Sequence, residues 1–100
     1  MATNLRNLAQ GRMCQLRIPG ICNRDPSTTV LAHLRIFGAA GMGQKPPDLV
    51  GVHACSSCHD ALDGRTDPQG KIWPKENRQE DILRALVRTL VVVSRDQALR

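Results

Sequence analysis

Aromatic side chains are almost missing from this chain of 100 residues, which holds one Phe, one Trp and no Tyr. A single domain of that length has a modest core. Without aromatic bulk the packing falls to aliphatic side chains, so a cross-linking ion would stabilise what packing leaves weak. Long apolar runs are missing as well. No stretch approaches the roughly 18 apolar residues of a membrane span, and Met1-Ala2-Thr3-Asn4-Leu5-Arg6 lacks the apolar core of a secretion signal. These absences lead to the expectation of a cytosolic (cytoplasmic) protein with no membrane partner. Acidic residues are scarce in the first part of the chain, where residues 1–40 carry Arg6, Arg12, Arg17, Arg24 and Arg35 against Asp25 alone. With a net charge of +5 overall, such a basic stretch suits a nucleic acid. The same charge also serves solubility, so by itself it decides nothing.

Against these scarcities stand four cysteines in two pairs: Cys14 and Cys22, with seven residues between them, and Cys55 and Cys58, with two. In a reducing cytosol they are poor disulfide candidates and good ligands. Four thiolates suit a closed, tetrahedral, structural zinc site. Buried apolar thiols are the plainer alternative, and paired spacing in a small, aromatic-poor chain favours zinc. His33 lies between the pairs and His59 follows Cys58 directly, so imidazoles are left over for other work.

Asn4 is placed to cap a short helix over Leu5 to Gln10, with Gly11 as its stop. Gln15-Leu16-Arg17-Ile18 alternates polar and apolar before Pro19-Gly20 and reads as a brief strand. Thr28 to Ile36, β-branched at its start, predicts a second strand. Residues 38–47 hold three glycines and two prolines and predict a long hairpin loop. Asp48 to His53 reads as the returning strand. Cys55 opens a helix to about Asp63, stopped by Gly64. After a polar connector from Arg65 to Gln79, an amphipathic helix is expected over about 78–93. Ile82, Leu83, Leu86, Val87 and Leu90 form its apolar stripe, and Glu80 and Asp81 lie in its first turn.

This order, a strand with His33, a long loop, a strand, and a helix opening with Cys55, Cys58 and His59, resembles the HNH branch of the ββα-metal nucleases. The resemblance is carried by Leu31-Ala32-His33-Leu34, Pro47-Asp48-Leu49-Val50 and Ala54-Cys55-Ser56-Ser57-Cys58-His59-Asp60. Closer still is the similarity to small prophage-encoded nucleases of the YbcO type. They share the flow Cys-x-x-Arg-Ile-Pro-Gly, Leu-Ala-His, Lys-Pro-Pro-Asp-Leu and Cys-x-x-Cys-His-Asp, a likeness covering about residues 10–66.

The resemblance implies an α+β fold: a zinc-stapled ββα-metal core of treble-clef type with flanking N- and C-terminal helices, one domain over residues 1–100. It implies a metal-dependent endonuclease hydrolysing DNA phosphodiester bonds. His33 would be the general base. Asp48, at the position of the motif's central Asn, would fix the loop or the base. His59 would ligate a divalent ion (Mg²⁺, Mn²⁺, Ni²⁺ or Zn²⁺), with Asp63 one helical turn on as its companion. One departure stands out: many HNH enzymes carry an Asp ligand where this chain has Ala32, and Asp63, His53 or Asp60 would have to compensate. Arg17, Arg35, Lys45 and Arg65 flank the implied site as candidates for phosphate contact, or as solvated charges. The same residues admit an alternative, a non-catalytic zinc module of phage origin that binds nucleic acid or a phage or host recombination or replication protein.

Overall fold

Asn4 caps the first helix as expected, its Oδ1 accepting from the backbone N–H groups of Arg6 and Asn7 at 3.1 and 3.2 Å. This helix, α1, covers Leu5–Ala9 in a computed structural model that describes residues 4–34 and 47–95. A short 3-10 turn, Pro26–Thr28, leads into β1 (Val30–His33). Then come β2 (Gly51–Ala54), α2 (Ser56–Leu62) and α3 (Lys75–Arg95). The fold is thus a small α+β arrangement with a two-stranded antiparallel sheet.

The expected strand over Gln15–Ile18 is not formed. Arg17 adopts φ 50°, and its N–H donates to Cys14 Sγ at 3.4 Å, which bends the segment out of extended geometry. A single sheet-like bond survives, from Gln15 N–H to the His53 carbonyl at 2.7 Å. The second strand starts at Val30 rather than Thr28. Asp25 explains why: its carboxylate accepts from Ser27 N–H at 3.0 Å and Ser27 Oγ at 2.7 Å, and Pro26 at the first position favours a helical turn. The returning strand likewise begins late. Val50 N–H donates to the Pro47 carbonyl at 2.9 Å, so Asp48 lies in a turn before β2. The far end of the expected strand at Ile36, and the loop expected over 38–47 up to residue 46, lie outside the described residues.

Register sets His33 opposite Gly51, Ala32 opposite Val52, Leu31 opposite His53 and Val30 opposite Ala54. A β-carbon on Gly51 would meet Leu31 Cδ1 at 2.8 Å and Ala32 O at 3.1 Å, so a larger residue at this place in the ribbon would have to displace the Leu31 side chain and crowd the β1 backbone. Ala32, Leu34, Val52 and Ala54 are buried with Leu16, Ile18, Cys55, Cys58 and Ala61 in one cluster. Strand alternation puts His33 on the other face.

The last helix is longer than expected and turned relative to it. Pro74, whose carbonyl accepts from Asn77 N–H at 3.0 Å, starts it at Lys75. The expected stripe is only half right: Ala85, Thr89 and Val93 are buried, Ile82 and Leu86 are half-buried, but Leu83 and Val87 are 60% and 53% exposed. Small side chains at 85 and 89 let α3 lie close along the outer edge of β2. There the His53 N–H donates to Thr89 Oγ1 at 3.1 Å.

The connector is held by Asp67. Its carboxylate accepts from the backbone N–H groups of Lys71 (2.7 Å), Ile72 (3.1 Å) and Trp73 (2.8 Å), and these bonds, led by that from Trp73, hold its pKa below the usual carboxylate range. Trp73 is buried, donates Nε1–H to Asp81 at 2.8 Å and carries the Arg78 guanidinium 5.0 Å from its ring centre. A carboxylate with a lowered folded pKa contributes stability that is present above its unfolded pKa and lost as pH falls through the folded value. Asp67→Ala is therefore expected to lower the urea midpoint reported by Trp73 emission at neutral pH and to remove part of its acid dependence. An unchanged midpoint at neutral and acid pH would show that the loop does not depend on this carboxylate.

Candidate functional site

The structure brings together two groups of sequence-selected residues. The first is the four cysteines. Cys14 precedes the Arg17 bend, Cys22 follows the turn in which its N–H donates to the Ile18 carbonyl at 2.9 Å, and Cys55 is the N-cap of α2, its Sγ accepting from Cys58 N–H at 3.4 Å. All four sulfurs lie within 4.8 Å of one another, and none is in a disulfide. Tetrahedral bonds of about 2.3 Å from a central ion place thiolates about 3.8 Å apart. Cys22 Sγ and Cys55 Sγ are separated by 3.8 Å, so the donor set and its spacing fit a metal ion.

The protonation pattern is that of thiols sharing protons. Cys14 is drawn down to about 4, first by its hydrogen bond with the Cys58 thiol and then by backbone N–H groups led by that of Arg17. Cys58 is pushed up by the same bond and by burial, and burial raises Cys22. A dication bound here would expel the shared proton and leave the sulfurs charged. Asn23 ties the surrounding loops together: its amide donates to Thr28 Oγ1 (3.2 Å), Ser56 Oγ (3.1 Å) and Ser57 Oγ (3.3 Å).

The second group is two imidazole–carboxylate pairs. His33, at the end of β1 with its side chain 10% exposed, meets Asp48 Oδ1 through Nε2 at 2.7 Å. Arg6 of α1 reaches the same oxygen at 3.4 Å. The His33 hydrogen bond, followed by the Arg6 charge, holds the Asp48 carboxyl below its usual range despite some desolvation. On α2, His59 Nε2 lies 3.2 Å from Asp63 Oδ2, the two being one turn apart. Arg65 approaches Asp60 at 3.4 Å and Asp63 at 3.8 Å, so its charge is already countered there.

Among the described residues, the cysteine cluster is the group in which three or more potential ligands converge. Neither Asp60 nor His53 joins His59 and Asp63. His53 is fully buried on β2, and Ala32 is packed in the core beside Val52. Arg17 is engaged locally, its Nε donating to the Cys14 carbonyl at 3.0 Å and its Nη2 to Gln15 Oε1 at 3.1 Å. Arg35 and Lys45 lie outside the described residues.

A protein-family model described as "Putative nuclease YbcO" matches residues 3–95. The chain belongs to the YbcO family. "Putative nuclease YbcO" of Escherichia coli (strain K12) and "Putative nuclease ybcO" of Enterobacteria phage 82 are each 50% identical to it over 84 residues, which is 84% of this chain and 88% of theirs. A solved structure, "Structure of a putative bacteriophage protein from Escherichia coli str. K-12 substr. MG1655", matches with a TM-score of 0.73 and 39% identity, covering 94% of this chain and 100% of that one. The YbcO match runs through α3, well beyond the motif-bearing stretch at about 10–66. Two residues of this site were missed by sequence reasoning, Arg6 at Asp48 and Asn23 at the cysteine loops. Arg6 carries no local signal, since Asp48 is more than thirty positions away; Asn23 has a local one, accepting from Asp25 N–H at 2.8 Å, but its bonds to Ser56 and Ser57 are long-range. Among the described residues, no helix is long and apolar enough to cross a membrane.

Proposed function

We propose that the chain is a metal-dependent, HNH-type endonuclease that hydrolyses DNA phosphodiester bonds, with a structural zinc held by Cys14, Cys22, Cys55 and Cys58. The observation that carries this reading is the 2.7 Å contact between His33 Nε2 and Asp48 Oδ1. An ionised Asp48 accepts from Nε2–H, which fixes the tautomer and leaves Nδ1 with its lone pair to take a proton from water. Arg6 on the same carboxylate oxygen keeps Asp48 charged and in place. The relatives' names, as nucleases, support action on nucleic acid.

His59 Nε2 and Asp63 Oδ2 would supply two ligands to a divalent ion, which contributes stabilisation of the charge developing on the phosphoryl oxygens and the leaving group. Two protein ligands suit an ion of the Mg²⁺ kind, which usually keeps waters and takes substrate phosphate oxygens as further ligands. Ion and DNA should therefore bind cooperatively. The test is conversion of supercoiled plasmid to open circle by the zinc-loaded protein with added Mg²⁺, Mn²⁺ or Ni²⁺. Nicking that needs one of these ions supports the reading.

A second reading is favoured by Ala32 and by the lack of a third convergent ligand beside His59 and Asp63 among the described residues: a zinc module that binds nucleic acid or a replication or recombination protein without cutting. DNA left intact with every ion would select it.

A further inference from the structure

Two clefts meet at the bend around Arg17. One, of about 500 Å³, opens beside Cys14 and Cys22 and is lined by Arg17, Arg24 and the apolar Met13 and Ile18. The other, of about 440 Å³, lies between the same bend, the Trp73 loop and α3, and is lined by Arg17, Ile72, Arg84 and Arg88. Arg17 and Pro19 belong to both. The described residues lining the first cleft include no Asp or Glu, and its charged or ionisable groups are Arg17, Arg24 and the Cys14 and Cys22 sulfurs. In the second the one carboxylate is Asp81, which accepts from Trp73 Nε1–H.

Two further observations point to the side chains themselves. Arg17 and Arg24 both stand at left-handed backbone positions, φ 50° and 58°, where glycine would cost less. Each follows a cysteine whose sulfur accepts its N–H. On α3, Arg88 donates through Nε and Nη2 to the Gln15 carbonyl, which pins it beside the bend. Burial first, and then the charges of Arg17 and Arg84, disfavour its protonated form. Like charges held together in this way are relieved by an anion. Arg84 is paired with Glu80 at 2.6 Å and lies 4.0 Å from Asp81; the Glu80 pair, with both side chains more than 60% exposed, is weak enough for a phosphate to displace. Met13 and Ile72, 59% and 54% exposed, offer apolar surface to sugars beside the guanidiniums.

We infer that Arg24, Arg17, Arg88 and Arg84 form a continuous track for the sugar–phosphate backbone of a nucleic acid, running across both clefts and sharing no residue with the His33–Asp48 site. This rests on the DNA reading above and extends it: the strand is gripped at the cysteine bends and α3 while His33 and His59 act elsewhere along it.

The test measures binding of a fluorescein-labelled DNA duplex by anisotropy over a range of KCl, with the zinc-loaded full chain. Arg24→Gln and Arg84→Gln should each weaken binding several-fold at low salt and reduce the log–log salt slope by about 0.9. Arg24→Lys and Arg84→Lys should largely restore the slope, because the charge returns. Arg95→Gln, at the far end of α3, should leave it unchanged. Trp73 emission and zinc content check that each variant is folded. If the unsubstituted chain binds with a salt-dependent slope and neither Gln variant alters it, the track is wrong and the DNA reading stands. If the unsubstituted chain does not bind DNA, both fail.

Discussion

Stripping the ion from Cys14, Cys22, Cys55 and Cys58 is expected to unfold most of the chain, with loss of helical circular dichroism and a red shift of Trp73 emission. The four sulfurs come from the Arg17 bend, the loop after Gly20 and the start of α2, so an ion held there would tie three stretches of chain in addition to their shared core and the Asn23 bonds. The cluster also sits inside the core, where Cys55 and Cys58 pack beside Ile18 and Ala61. Structural zinc contributes about 10–16 kcal/mol of apparent binding free energy in small zinc domains near pH 7. That exceeds the whole stability of many domains, about 5–15 kcal/mol. Replacing Cys58 by Ser should have the same outcome as chelation, since a neutral hydroxyl is a poor fourth ligand. A chain that elemental analysis shows to be metal-free, yet with native dichroism and a cooperative melt, would remove the ion from the folding account.

His33→Ala is expected to lower the rate of DNA cleavage by about 10²–10⁴, the usual contribution of a positioned general base, while leaving zinc content and DNA binding intact. The fold should tolerate it, because Asp48 keeps its Arg6 partner and the truncated side chain faces away from the core. Asp48→Asn separates positioning from charge: the amide can still accept from Nε2–H but no longer stabilises an imidazolium, so an intermediate loss is expected. Cleavage by His33→Ala as fast as by the parent, with the same ion, would make His33 a packing residue.

Much of this molecule is written locally. Asn4 before Leu5, Cys55 before a helical stretch and Gly64 after one each carry their own capping chemistry, and the spacing of the paired cysteines points to the cluster that could hold a metal ion. The failures have two causes: turn chemistry within a few residues overrode a strand pattern, or a neighbour distant in sequence overrode a helical one. Gln15–Ile18 alternates like a strand, yet the Cys14 sulfur captures the Arg17 N–H and bends it. The stripe at Leu83 and Val87 is a valid helical pattern, yet β2 takes the face with Ala85 and Thr89 instead, because a threonine hydroxyl can serve a strand edge. Arg6 at Asp48 and Arg84 and Arg88 at the Arg17 bend are tertiary meetings with no local signal. The Asp67-Pro68-Gln69-Gly70 run does announce a turn, and the three N–H groups that Asp67 gathers could have been suspected from it.

The Thr89 hydroxyl on His53 has a further implication, for handling the protein outside its native state. A two-stranded ribbon is marginal by itself and offers its outer edge to any other extended peptide. Here that edge is occupied at His53 from both directions, by Thr89 and by Gln15. Should α3 detach, through proteolytic nicking near Gln69 or by heating, the bared strand would become a template for intermolecular pairing. Loss of the last helix should therefore announce itself as concentration-dependent precipitation before it shows as lost secondary structure.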